Sequence, residues 1–84
     1  MKAQTGDRVR LISNVSYGSV YGLIEIPKDT ELTVLRRMDS NDGIQTVEEY
    51  KYEGVYGKTS FPYGIWDRYY EIIWEGWKEI NESL

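Results

Sequence analysis

The sequence predicts a small, mainly β domain. Three observations carry this: apolar and polar residues alternate with period two in several short stretches, turn-forming residues punctuate those stretches, and helical spacing of apolar residues is confined to the C-terminal end. Taken in order, residues 7–12 follow Gly6-Asp7 and set Val9 and Leu11 against Arg8 and Arg10, the pattern of a half-buried strand. Residues 13–26, dense in Ser, Asn and Gly, predict a long irregular hairpin loop, with residues 23–26 returning as a short strand. Pro27-Lys28-Asp29 is a turn. Residues 31–37 form a further strand with Leu32 and Val34 on one face and a shift beginning at Leu35.

Asn41-Asp42-Gly43 is a hairpin signal, because these residues tolerate the positive φ that tight turns require. Residues 44–52 return as a strand with Tyr50 and Tyr52 on one face; Glu53-Gly54 and Tyr56-Gly57 turn the chain again before residues 59–61. From Trp66 two readings compete. Trp66, Tyr69/Tyr70, Ile73, Trp77, Ile80 and Leu84 follow a helical stripe that Asp67 could cap. The run RYYEIIW and Gly76 oppose a single long helix, since β-branched, aromatic and glycine residues weaken it. The reading adopted is a strand to about Ile73 and a short α-helix around residues 74–83, with one domain spanning residues 1–84.

Two segments resemble signature elements of the Src-homology-3-like barrels. Pro27-Lys28-Asp29-Thr30-Glu31-Leu32-Thr33-Val34-Leu35 is similar to that family's diverging turn and following strand, and Gly64-Ile65-Trp66-Asp67-Arg68-Tyr69-Tyr70-Glu71-Ile72-Ile73 is similar to its 3₁₀ turn and closing strand. With residues 6–11 the likeness covers about residues 6–73. It implies a barrel of about five strands, residues 6–73, followed by a helical extension over 74–84. The departures bear on function: peptide-binding members carry a Trp just after the Asp-Gly turn, where this chain has Ile44 and Gln45, and the proline of the 3₁₀ turn is replaced by Trp66. Of the aromatics that would line a proline-reading groove, Tyr69 alone corresponds.

Composition bounds the chemistry. Eighty-four residues make one domain, and with one Phe and two Met against eight Tyr and three Trp, the core must borrow from aromatics that carry polar groups. No Cys excludes disulfides and thiol chemistry, and no His removes the commonest general base, so an enzyme is not expected and no cofactor or metal is implied. No apolar stretch spans a bilayer and no signal segment is evident, which makes the cytoplasm the default compartment.

The net charge of −4 is uneven. Lys2, Arg8 and Arg10 sit near the start, whereas Asp39, Asp42, Glu48, Glu49 and Glu53 crowd the middle against Lys51 alone. These carboxylates read either as a solvated face or as a docking patch for a basic partner. Their spacing fits no calcium loop. Arg8, Arg10, Arg36 and Arg37 could contact phosphates, but only one of the last two can share a face with the first two, so nucleic acid is the weaker partner class.

The tyrosines are either core or interface. Tyr17 and Tyr21 in the long loop and Tyr56 beside a turn, with Trp66 and Tyr69 near the 3₁₀ element, are the partner-binding candidates, because rigid amphipathic rings give contact area at low entropy cost. Trp74, Trp77 and Ile80 either close one end of the barrel or mediate self-association. The expectation is a non-enzymatic protein–protein interaction module, an adaptor or inhibitor of the kind phages and mobile elements carry, acting as a monomer or weak homodimer. A nucleic-acid or ribosome-associated barrel and an aromatic-lined small-ligand protein are the alternatives.

Overall fold

The computed structural model describes residues 2–76. Its architecture is mainly β, with seven strands in two sheets. The strands are β1 (Arg8–Leu11), β2 (Val15–Ser19), β3 (Gly22–Ile26), β4 (Glu31–Arg37), β5 (Gly43–Gly54), β6 (Gly57–Trp66) and β7 (Tyr70–Trp74), and a 3₁₀ turn, Asp67–Tyr69, joins the last two. Five strands form one antiparallel sheet in the order β6-β5-β4-β1-β7, and β2–β3 is a separate two-stranded ribbon. The sheet does not close on itself, which corrects the expected five-strand barrel. Strands β6 and β7 remain as its two edges.

Period-two alternation was a sound guide where one face is buried. Val9 and Leu11 of β1 and Leu32 and Val34 of β4 are buried, while Arg8 and Arg10 are half-exposed between them. Ile44, Ile65 and Tyr70 extend this layer, and Val15, Ile24 and Ile26 cover it from the ribbon. The ribbon is therefore a lid on the core rather than an irregular loop, and the reading of residues 13–26 is corrected. Its Ser, Gly and Tyr content obscured two regular strands, joined by the two-residue turn Val20-Tyr21 with Gly22 at φ 115° beyond it. Asp29 (φ 72°) and Asn41 (φ 60°) hold the left-handed positions of the two turns foreseen there, as short polar side chains tolerate.

Two bulges shape the sheet. In β4, Leu35 is the extra residue between the pairs Val34↔Thr46 and Arg36↔Gln45, and it points outward. In β5, residues 46–48 face the single Tyr63 between the pairs Gln45↔Gly64 and Glu49↔Pro62. Side chains replace the missing ladder bonds: buried Thr46 Oγ1 donates to Glu48 O (2.7 Å) and accepts from Tyr63 N (3.1 Å), and Glu48 Oε1 accepts from Thr33 N (2.8 Å). Beyond the bulge the β5–β6 hairpin runs on as an arm to the turn Val55-Tyr56, so the molecule measures 49 × 24 × 23 Å.

The C-terminal reading is corrected in part. Residues 67–69 form the expected 3₁₀ turn and β7 pairs with β1, so a single helix from Trp66 is excluded and Trp74 belongs to a strand. Asp67 does not cap; its carboxylate turns to Arg37 instead. Trp77, Ile80 and the rest of the expected helix from residue 77 on lie outside the described residues. Among the described residues no helix is long and apolar enough to cross a membrane.

Candidate functional site

The five aromatics singled out in the sequence separate into two places. Tyr17, Trp66 and Tyr69 line a groove of about 330 Å³, together with Val15 and Ser16 of β2, Met38 of the β4–β5 turn and Gly64 of β6. Tyr56 lies instead on the arm, and Tyr21, at the turn of the ribbon, packs against it.

Each groove residue is placed by a local cause. Tyr17 sits on the ribbon, half-buried, and its Oη accepts the Gly64 N–H at 3.3 Å, a donor that β6 turns away from β5. Burial pushes the Tyr17 hydroxyl above its ordinary range, against the opposing pull of that N–H. Gly64 leaves room for Met38, since a Cβ there would lie 2.8 Å from the Met38 methyl. Trp66, at the end of β6, is 43% exposed and forms the rim. The Arg68 guanidinium lies 4.9 Å from the Tyr69 ring centre and 6.0 Å from that of Trp66, within cation–π range of both.

Behind the rim, a polar network fixes the 3₁₀ turn. Arg37 makes two hydrogen bonds to the Asp67 carboxylate, at 2.7 and 2.6 Å, and donates to Ala3 O and Asn41 O. The Tyr70 hydroxyl donates to Asp67 Oδ1 and accepts the Ala3 N–H at 2.9 Å. Burial raises the Asp67 pKa, but the bonds from Arg37 and Tyr70 outweigh it and leave a net lowering. Burial, reinforced by the adjacent carboxylate, pushes the Tyr70 hydroxyl up to about 12. The groove wall is thus bolted to β4 and to the N-terminal segment.

The arm is a second aromatic grouping. Tyr21, at the ribbon's turn, packs on Tyr52 (4.7 Å between ring centres), Phe61 (5.8 Å) and Tyr56 (6.4 Å), and Tyr50 packs on Phe61 (5.3 Å). Tyr56 remains 75% exposed. The two hairpin turns are in this way braced against each other.

The charged candidates do not assemble. Asp39 and Asp42 are exposed on the β4–β5 turn, Glu48 is engaged by Arg8 and by the Thr33 N–H, Glu49 is exposed on β5, and Glu53 pairs with Lys58 (3.5 Å) near the arm's tip. At about 3.3 Å per residue, Asp42 and Glu53 stand up to roughly 35 Å apart along β5, the bulge shortening that span somewhat. One acidic docking patch is not formed. The basic set is likewise committed: Arg8 to Glu31 and Glu48, Arg10 to Glu71, Arg37 to Asp67, and Arg36 to Gln45. Ile44, which follows the Asp42-Gly43 turn, is fully buried core.

Sequence reasoning missed Met38 and Gly64 in the groove, Arg68 beside its rim and Phe61 on the arm. For Arg68 the signal was present, an Arg one residue from Tyr69 and two from Trp66; for Met38, which precedes a polar turn, there was none. No family model, no curated protein and no solved structure matches this chain.

Proposed function

We propose that the protein is a non-enzymatic protein–protein interaction module of Src-homology-3-like architecture, which receives an extended apolar segment of a partner in the groove of Tyr17, Met38, Trp66 and Tyr69. The architectural part is supported by the strand order β6-β5-β4-β1-β7, by a long hairpin between the first strand and β4, and by a 3₁₀ turn leading into a last strand paired with β1. The functional part rests on one observation: aromatic side chains from three separate elements converge on one concave surface whose lining holds no carboxylate. Apolar clefts with a few placed polar groups are what binding sites use. Arg68, within cation–π distance of the Tyr69 and Trp66 rings, offers a charge at the rim and adds preference for an acidic residue flanking the apolar segment.

Panning a displayed library of random linear peptides against the folded protein tests this. Selected peptides should be apolar and extended, and Trp66→Ala or Tyr69→Ala should weaken them at least tenfold, with backbone shift changes confined to β2, Gly64 and the 3₁₀ turn. Binding that survives both substitutions, or a library that yields no binder, sinks the reading. A small-ligand site is the second reading, favoured by the groove's modest volume; a large thermal shift with a single metabolite and no peptide binder would select it.

A further inference from the structure

Among the described residues, the outer edge of β6 is a row of peptide groups with no partner strand. The two-residue turn Val55-Tyr56 makes Gly54↔Gly57 a hydrogen-bonded pair, so Tyr52↔Thr59 and Tyr50↔Phe61 are bonded pairs too, and Lys58, Ser60 and Pro62 turn outward. Pro62 sits where β5 requires no N–H, as this parity demands. Further along, the outward N–H of Gly64 goes to Tyr17. For Lys58 and Ser60, among the described residues, no backbone group meets the outward N–H and C=O.

We infer that this edge pairs with the same edge of a second copy, antiparallel about Thr59, so that Lys58 of each chain faces the partner's Ser60. The register follows from elimination. Only outward-facing residues can form bonded pairs. A pairing centred on Lys58 sets two ammonium groups opposite each other, and one centred on Ser60 sets Lys58 against Pro62, which has no N–H to give. Centring on Thr59 avoids both faults and yields two bonded pairs, each exchanging both hydrogen bonds. It also sets Thr59 against the partner's Thr59, a favourable cross-strand pair, and Phe61 over the partner's Gly57, whose bare backbone an aromatic ring covers well.

The same register carries the tip onto the partner. Val55 is 89% and Tyr56 75% exposed, and they come beside the partner's Tyr63 and Pro62. Charge does not oppose the contact: Lys58 is already paired with Glu53, which keeps this face near neutral although the chain as a whole is at −4. The area is small. Five strand residues and a tip per chain fall short of the roughly 800 Å² per partner of stable complexes, so the dimer is weak and forms at high concentration. A self-complementary row favours a second copy over a foreign strand.

Ser60→Pro removes one outward N–H and leaves the β5–β6 ladder intact, because Ser60 donates nothing to β5. Sedimentation equilibrium over a wide concentration range should show the native chain doubling in mass, and Ser60→Pro should raise the dissociation constant at least tenfold while the far-ultraviolet circular dichroism and the melting temperature of the dilute protein stay unchanged. Amide exchange in the native chain gives a variant-free reading: Lys58 and Ser60 should gain protection as concentration rises, and Gly18 on the ribbon should not. A native chain that remains monomeric throughout overturns the inference. So does association that survives Ser60→Pro, or protection at Lys58 and Ser60 that ignores concentration.

Discussion

The groove and the arm use the same residue type in opposite ways. At the groove, tyrosines are held by hydrogen bonds: Tyr17 takes the Gly64 N–H, Tyr70 the Ala3 N–H, and Tyr69 receives a bond from Arg68. At the arm, Tyr52 and Tyr56 and the ribbon's Tyr21 are held by ring contacts, joined by a Tyr56 N–H to Tyr52 Oη bond at 3.4 Å. The first arrangement is directional; the second tolerates sliding. A concave site that must read a shape needs the former. A protruding hairpin needs only to stay extended.

The contrast is broken most directly at Arg37. Arg37→Ala leaves the largely buried Asp67 carboxylate without its cation and should cost about 3 kcal/mol, the low end for a buried pair because both side chains keep some exposure. Equilibrium denaturation reads it, and the arm's amides should exchange as before while those of the 3₁₀ turn accelerate. If the loss is below about 1 kcal/mol, the network does not organise the groove.

Alkaline titration comes next. Folded Tyr70 keeps its proton to about 12, whereas the ordinary value is 10.0, so its contribution is fully present below pH 10 and is lost as pH rises from about 10 to about 12. Two pKa units correspond to about 2–3 kcal/mol, which Tyr70→Phe should largely remove from the pH dependence. Thermal melts across that window distinguish the two proteins. At the bulge, Thr46→Val strands the Tyr63 N–H in the interior and should cost about 1–3 kcal/mol, sharpening the point that the arm leaves the core where a side chain replaces the ladder. Last, Val20→Ser with Val55→Ser, at residues 84% and 89% exposed, should change stability by less than about 0.5 kcal/mol. A larger loss would make the tips part of the fold.

What was legible in the sequence follows the same division. Strands β1 and β4 were readable because one face of each meets the core and the chain alternates accordingly, whereas the 3₁₀ turn and β7 were expected from the resemblance of residues 64–73 and from a β-branched and aromatic run that opposes a helix. The ribbon was not, because Tyr17-Gly18-Ser19-Val20-Tyr21-Gly22 has the composition of a loop. Tyr52-Glu53-Gly54-Val55-Tyr56-Gly57 has nearly the same pattern, and each Val-Tyr pair forms a two-residue turn followed by a left-handed glycine. That likeness was the available signal for a second hairpin. The length of the arm was hidden for another reason: past Glu49 no residue of its strands is fully buried, and Tyr50 and Phe61 only flank the core, so burial imposes little pattern beyond the row of Tyr50, Tyr52 and Phe61. Candidate site residues were named correctly as aromatics, but their division between groove and arm depends on pairings that no local pattern encodes.

The bulge at residues 46–48 has a bearing on how this architecture can vary. Below it, every pair is tied to the core and a single insertion would turn buried side chains outward. Beyond it, the pairs from Glu49↔Pro62 to Gly54↔Gly57 repeat without interruption. Deleting Lys51 and Tyr52 with Thr59 and Ser60 would shorten the arm by roughly 7 Å and leave every remaining pair in its original facing. The hairpin is therefore a ruler graduated in steps of two pairs, whose length can change without altering the facing of the pairs that build the groove.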